Sequence, residues 1–332
     1  MLDAFLATLS PMLSLFFFLA IGFCVKKFKI LPDSSSSVLA KLETWVFFPA
    51  LSFSTMAKNC TVNSISQYLA NVLISCVGVA LAIAMAIPLS KFFIKEDSME
   101  RGVYKYALAF GNSGYVGDPL VLSMHGDVML SHYKLYTLPI SIAIYTWGLS
   151  VLIPKEKGKS AIKSLLNPPI IALFAGILFG LSGISAILPD IVCGTLYSTL
   201  DSLKACVGPV AMLLAGITIA SYDFKEMISD KKVYVASLLR LILLPAIIIS
   251  ALFGIKELAN LLFGLAIGNS VLFLSFFAIA APLGLNTVVF PKAYGGNPKT
   301  GAGMAMISHT LCVITIPVLY SLLVLIFGEP LI

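Results

Sequence analysis

The chain has 332 residues, 59% of them hydrophobic and only 11% charged, with a formal net charge of +6. A soluble domain carries about 25% charged residues to wet its surface, so this balance excludes a soluble globule, and it excludes disorder, collagen and a disulfide scaffold as well. A mean hydropathy of +0.98 points instead to an all-α polytopic membrane protein with short loops and no separate soluble domain.

The first apolar segment, about 5–25, follows Met1-Leu2-Asp3 and precedes Lys26, Lys27 and Lys29. Without a basic stretch ahead of it, it reads as a span rather than a cleaved signal. Further apolar segments lie at about 36–57, 68–90, 103–124, 135–153, 168–187, 196–220, 233–253, 260–295 and 302–327. Ten crossings of about 20 residues each occupy roughly 200 positions. The ninth segment is longer than one span needs, and 254–270 is left open as a re-entrant or interfacial piece.

Loop charge orients these spans. The side reached after the first span holds 16 Lys and Arg, whereas the opposite side holds 3, namely Lys58, Lys134 and Lys256. The basic side is therefore expected to be cytoplasmic, with both termini outside and the chain in the cell membrane. The basic residues are scattered and not interleaved with aromatics, which gives no reason to expect nucleic acid. The six cysteines are far apart and form no CxxC pair, so neither metal nor cofactor is expected.

Ten spans divide into two fives of opposite orientation. Phe48-Pro49-Ala50-Leu51 has a counterpart in Gly208-Pro209-Val210-Ala211, Pro119 in Pro282, and Pro139 in Pro317. These offsets, with the loop parity, predict an inverted repeat. The expected division is a five-helix repeat at 1–153, a short cytoplasmic linker at 154–167 and a second, inverted repeat at 168–332.

The densest irregularity is Gly111-Asn112-Ser113-Gly114-Tyr115-Val116-Gly117-Asp118-Pro119, within the fourth span. Three glycines and a proline remove helix propensity where hydrocarbon offers the backbone no water. Unwound backbone at that depth persists where it lines a cavity, and broken helices aim their charged ends at a solute. The ninth span is expected to hold a twin break. Ala281-Pro282-Leu283-Gly284-Leu285-Asn286 is the first candidate and Gly268-Asn269-Ser270 the second.

Asn112-x-Gly114-x-x-Gly117-x-Pro119 resembles the N-x-G-x-x-G-x-P element of the auxin efflux carrier family. Pro49-Ala50-Leu51, Asn167-Pro168-Pro169, Gly208-Pro209 with Gly216, and Tyr294-Gly295-Gly296-Asn297 fit the same likeness in the same order, over essentially the whole chain. The resemblance implies an elevator-type carrier with crossed fourth and ninth helices, related to the bile acid/sodium symporter fold, and small organic anions as substrates. The short central loop with Lys155-Glu156-Lys157 resembles the compact bacterial form. Asp118 departs from the family pattern, and the third span contains no charged side chain.

The polar residues of the spans have alternative readings. Asp118, ahead of Pro119, is either an N-cap of the second half-helix or a proton or cation site. Asn112 and Ser113 either bind substrate or tie up loose backbone, and Asn286 shares that reading by symmetry. Arg240 either snorkels to the basic side or answers an internal carboxylate. Asp201 and Lys204 are expected to pair along one helix face, and Glu43 to lie near the cytoplasmic end of the second span. His125 and His132 are expected in solvent, and His309 in the packed core.

No nucleophile and base, phosphate loop or paired metal ligands stand out, so an enzyme is not expected. The expected function is a secondary transporter for a small organic anion, in the direction of efflux, because an anion leaving an inside-negative cell gains about 2.3 kcal/mol per 100 mV. Its expected substrate site comprises Asn112, Ser113, Gly114, Pro119, Pro282 and Asn286, with Asp118 for proton or sodium coupling. A sodium-coupled importer is the alternative within transport, and a receptor or structural subunit the alternative outside it. A homodimer is compatible with all three.

Overall fold

The computed structural model describes residues 1–154, 167–265, 267–294 and 298–330, and no strand occurs among them. The expected linker and Gly295-Gly296-Asn297 thus fall, wholly or mostly, outside the described residues. Helix α1 (Leu2–Lys27) is followed by α2 (Ser35–Leu42), which runs through a π turn at Glu43–Phe47 into α3 (Phe48–Asn59). After α4 (Ile65–Leu89) comes the short α5 (Met99–Ala109). A second π turn, Ser113–Gly117, opens α6 (Asp118–Ala143), and a third, Ile144–Gly148, leads to α7 (Leu149–Leu152). Next come α8 (Pro168–Ser182), α9 (Asp190–Ala205), α10 (Val207–Ala220) and α11 (Phe224–Ser229). A fourth π turn, Leu239–Leu243, joins α12 (Lys231–Leu238) to α13 (Leu244–Phe263). The chain then forms α14 (Ser270–Ile279), α15 (Asn286–Tyr294) and α16 (Lys299–Phe327).

Among the described residues six helical stretches are long and apolar enough to cross a membrane: Leu2–Lys27, Val62–Phe92, Ser113–Leu152, Asp190–Ala220, Lys231–Phe263 and Lys299–Phe327. Pro168–Ser182 and Ser270–Ile279 are shorter apolar helices. With no strand to supply a barrel wall, helices alone satisfy the backbone in lipid. The protein is an all-α polytopic membrane protein. Its outer surface carries exposed Leu, Ile, Val and Phe side chains such as Phe17, Leu73, Leu178 and Ile191, which suit hydrocarbon rather than water.

Three of the four π turns end two residues before a proline, at Pro49, Pro119 and Pro245. Proline has no N–H to give, and its ring presses on the carbonyl four residues back. A widened turn ahead of it absorbs that misfit. The same widened turns carry Glu43 and Arg240, both buried, and Ser113. Glu43 is fully buried, and its carboxylate has no hydrogen-bond partner among the described residues.

The 40-residue stretch Ser113–Leu152 folds back on itself at Gly126, whose φ of +75° and ψ of −170° leave the helical region. A side chain there would be strained, so glycine permits a connection of one residue between two antiparallel helices. His132 is buried and His125 half-buried, contrary to the solvated positions expected from sequence. His132 is buried, bonded through Nδ1 to the Asn71 amide at 2.9 Å and packed on the Tyr68 ring. His125 bonds the Tyr320 hydroxyl through Nε2 at 3.1 Å.

The ninth apolar segment resolves differently from its sequence outline. Residues 254–263 continue α13, which stops at the left-handed Gly264. Asn269 stands at the start of α14, held by Lys256 Nζ at 2.8 Å, and Gly268-Asn269-Ser270 is therefore a helix entry and not the break. The interruption falls at 280–285.

Candidate functional site

Two interrupted helices meet in the centre of the bundle. Helix α5 stops at Ala109 because Phe110 is extended (φ −121°, ψ 130°) and Gly111 follows. Helix α14 stops at Ile279, and Ala281-Pro282 cannot continue it. The two freed pieces satisfy each other. Gly111 and Leu283 form an isolated antiparallel bridge, and the Asn112 N–H donates to the Pro282 carbonyl at 2.7 Å. The Leu283 N–H donates to Ser308 Oγ at 3.0 Å.

Asn112 restarts the first chain. Its Oδ1 accepts from the Tyr115 N–H at 3.3 Å, which makes Asn112 the helix cap. Its Nδ2 lies 3.3 Å from His309 Nε2, whose Nδ1 lies 2.7 Å from the Ala305 carbonyl. A histidine protonated on Nδ1 satisfies both contacts. His309 is thus a buried core residue that orients the cap. Since the helix is already running at Ser113, Asp118 lies inside it, and the capping role expected for Asp118 belongs to Asn112.

A cavity of about 180 Å³ opens beside the crossing. Asn112, Ser113, Gly114, Asp118 and Asn286 line it, as their pattern in the sequence led us to expect. Pro119 and Pro282 do not. Pro119 faces Gly208 in a separate crevice, and Pro282 is enclosed in the break, where its carbonyl serves Asn112. The prolines are also not equivalent in position, since Pro119 lies inside a helix and Pro282 lies between two.

The cavity gains residues that the sequence did not single out. Lys134, counted among the outer loop charges, reaches inward so that its Nζ lies 2.8 Å from Asp118 Oδ2. Its ammonium also stands over the Phe48 ring at 5.8 Å, and Phe48 stacks on Tyr115. Asp118 is 1% exposed and its Oδ1 has no partner, so Lys134 is its counter-charge. Asn286 Nδ2 donates to the Tyr106 hydroxyl at 2.9 Å.

Thr44, Tyr145, Asn167 and Pro169 complete the lining of the cavity. Two ion pairs join helices near the Gly126 turn. Lys204 pairs with Asp127 next to the Gly126 turn, and Lys58 pairs with Asp201 at 2.6 Å. Thr55 adds a hydrogen bond to Asp127 at 3.3 Å and Ser54 one to Asp201 at 3.0 Å. Asp201 and Lys204, three residues apart, therefore each bind a different helix instead of each other.

Arg240 follows neither of its two expected courses. It is buried, its Nη1 reaches the Leu108 carbonyl at 3.5 Å, and its Nε and Nη2 have no hydrogen-bond partner. Among the described residues no group of three or more His, Cys, Asp and Glu is placed to hold a metal ion.

A multi-pass helical protein with a small polar chamber beside two interrupted helices has the build of a membrane transport protein. The sequence matches the model of the family described as "Membrane transport protein" over residues 7–320, and the chain belongs to that family, the auxin efflux carrier family that its motifs resemble. It is 24% identical over 247 residues to an uncharacterized transporter of Methanocaldococcus jannaschii, covering 73% of this chain and 76% of that one. It is 23% identical over 243 residues to an uncharacterized transporter of Methanothermobacter thermautotrophicus, covering 73% and 77%.

Proposed function

We propose that the protein is a secondary transporter that carries a small organic anion, of the carboxylate class, out of the cell. The observation that carries this reading is the cavity wall itself. The helix beginning at Ser113 and the helix beginning at Asn286 both present their N-terminal turns to it, with the Lys134 ammonium beside them. Helix N-termini bear about half a positive charge each, and amide and hydroxyl groups from Asn112, Ser113 and Asn286 add neutral donors. The chamber is smaller than the roughly 300–1,000 Å³ typical of drug-sized ligands, which suits a solute of few heavy atoms.

In this reading ten spans form an inverted five-plus-five repeat, with the interrupted spans crossing at the site. The part carrying the crossing slides against a scaffold of the first, second, sixth and seventh spans. In this reading the cavity loads from the basic, cytoplasmic end, and the Lys204–Asp127 and Lys58–Asp201 pairs close the other. Export down the membrane potential needs no coupled ion. Asp118 competes with the substrate for Lys134, so a proton taken up by Asp118 favours the loaded state.

The test is counterflow of carboxylates in proteoliposomes without sodium, the panel being chosen by thermal shift. Exchange by the wild type and its loss in a folded Asn112→Ala variant are expected. Carboxylate binding with no flux would make the protein a receptor, and wild-type flux in the variant would remove Asn112 from the site.

A further inference from the structure

The side of the crossing away from the cavity has the opposite polarity. There the C-terminal ends of α5 and α14 converge, each bearing roughly half a negative charge on carbonyls that no helical N–H satisfies. Arg240 reaches this place from the π turn of the eighth span. Its Nη1 bonds the Leu108 carbonyl in the last turn of α5, and its Nη2 lies against Gly111. The carbonyls of Ala278 and Ala281 come within 3.0 and 2.9 Å of the position a Cβ on Gly111 would occupy, at the end of α14. Only glycine leaves room there for the guanidinium. Among the described residues no carboxylate pairs with Arg240, whose Nε and Nη2 are unpartnered although the side chain is 2% exposed.

We infer that Arg240 is a tethered counter-cation for the crossing: its guanidinium neutralises the two converging helix C-termini, a task that otherwise falls to a bound inorganic cation. Two half-charges match one guanidinium, and a cation fixed to the chain stays with the crossing in every state of the cycle. Arg240 touches no substrate and is a positioning residue. The consequence, which rests on the transport reading above, is that anion movement is independent of sodium.

The test compares the wild type, Arg240→Ala and Arg240→Lys, with guanidinium and sodium as the probes. Wild-type carboxylate flux should be equal in sodium and in choline, and Arg240→Lys should keep most of it. Arg240→Ala should lose at least tenfold in choline and recover part of that on adding millimolar guanidinium or sodium. A second readout needs no flux: the melting temperature of purified Arg240→Ala should rise with millimolar guanidinium or sodium, and that of the wild type should not. Absence of carboxylate flux in the wild type would defeat the transport reading and leave this thermal response to decide the role of Arg240. A folded Arg240→Ala protein that transports normally in choline, or whose flux and melting temperature ignore every cation, would overturn the inference.

Discussion

The Lys134–Asp118 pair gives opposite expectations for its two members. Asp118 is 1% exposed, and Lys134, at 12%, reaches the cavity wall. Replacing Lys134 by Met leaves a buried carboxylate with no counter-charge, and breaking a buried pair in this way costs about 3–5 kcal/mol. Replacing Asp118 by Asn leaves an ammonium that is 12% exposed and still stands over the Phe48 ring, so the loss should be about 1–3 kcal/mol. On binding, the signs differ. A hydrogen bond to a charged group contributes about 1.5–3 kcal/mol, so Lys134→Met should weaken carboxylate affinity roughly tenfold to a hundredfold. Asp118→Asn removes the internal competitor and should tighten affinity or leave it unchanged. Calorimetric titration of a carboxylate into detergent-purified protein measures the second effect, and chemical denaturation the first. Equal affinity in Lys134→Met and wild type would refute the assignment of Lys134 to the substrate.

Asp127→Asn removes the carboxylate from Lys204, which is only 4% exposed, and should loosen the end that the proposed cycle keeps closed. A cysteine introduced at the cavity residue Ser52 should then react several-fold faster with an impermeant thiol reagent added outside; an unchanged rate would speak against a closure at this end. Pro119→Ala, outside the cavity, should keep carboxylate affinity within about twofold by the same titration, and a larger loss would return Pro119 to the binding surface.

The interruptions were legible in the sequence because glycine, proline and asparagine carry their backbone preferences with them. Gly111-Asn112 and Ala281-Pro282 fall in the breaks for that reason. Side-chain partners were not legible to the same degree. Lys134 looked like an outer charge because the tip is a single residue, Gly126, and no loop is present to hold it in water. Asp201 and Lys204 have the spacing of a helical pair, yet Lys58 and Asp127 on other helices lie nearer, and tertiary contact outweighs a local pairing of a few tenths of a kcal/mol. Arg240 sits in an apolar run whose periodicity says nothing of the carbonyls that α5 and α14 bring to it. The register of the two interruptions was misjudged for a similar reason: proline marks both the inside of a widened helix, as at Pro119, and a gap, as at Pro282.

The one-residue turn at Gly126 gives the fourth and fifth spans no slack. Ser113 and His125 are the ends of one helix about 18 Å long, so in the proposed sliding cycle a displacement at the chamber reappears at the Gly126 tip. A spectroscopic probe fixed there would read that proposed displacement from a position outside the chamber.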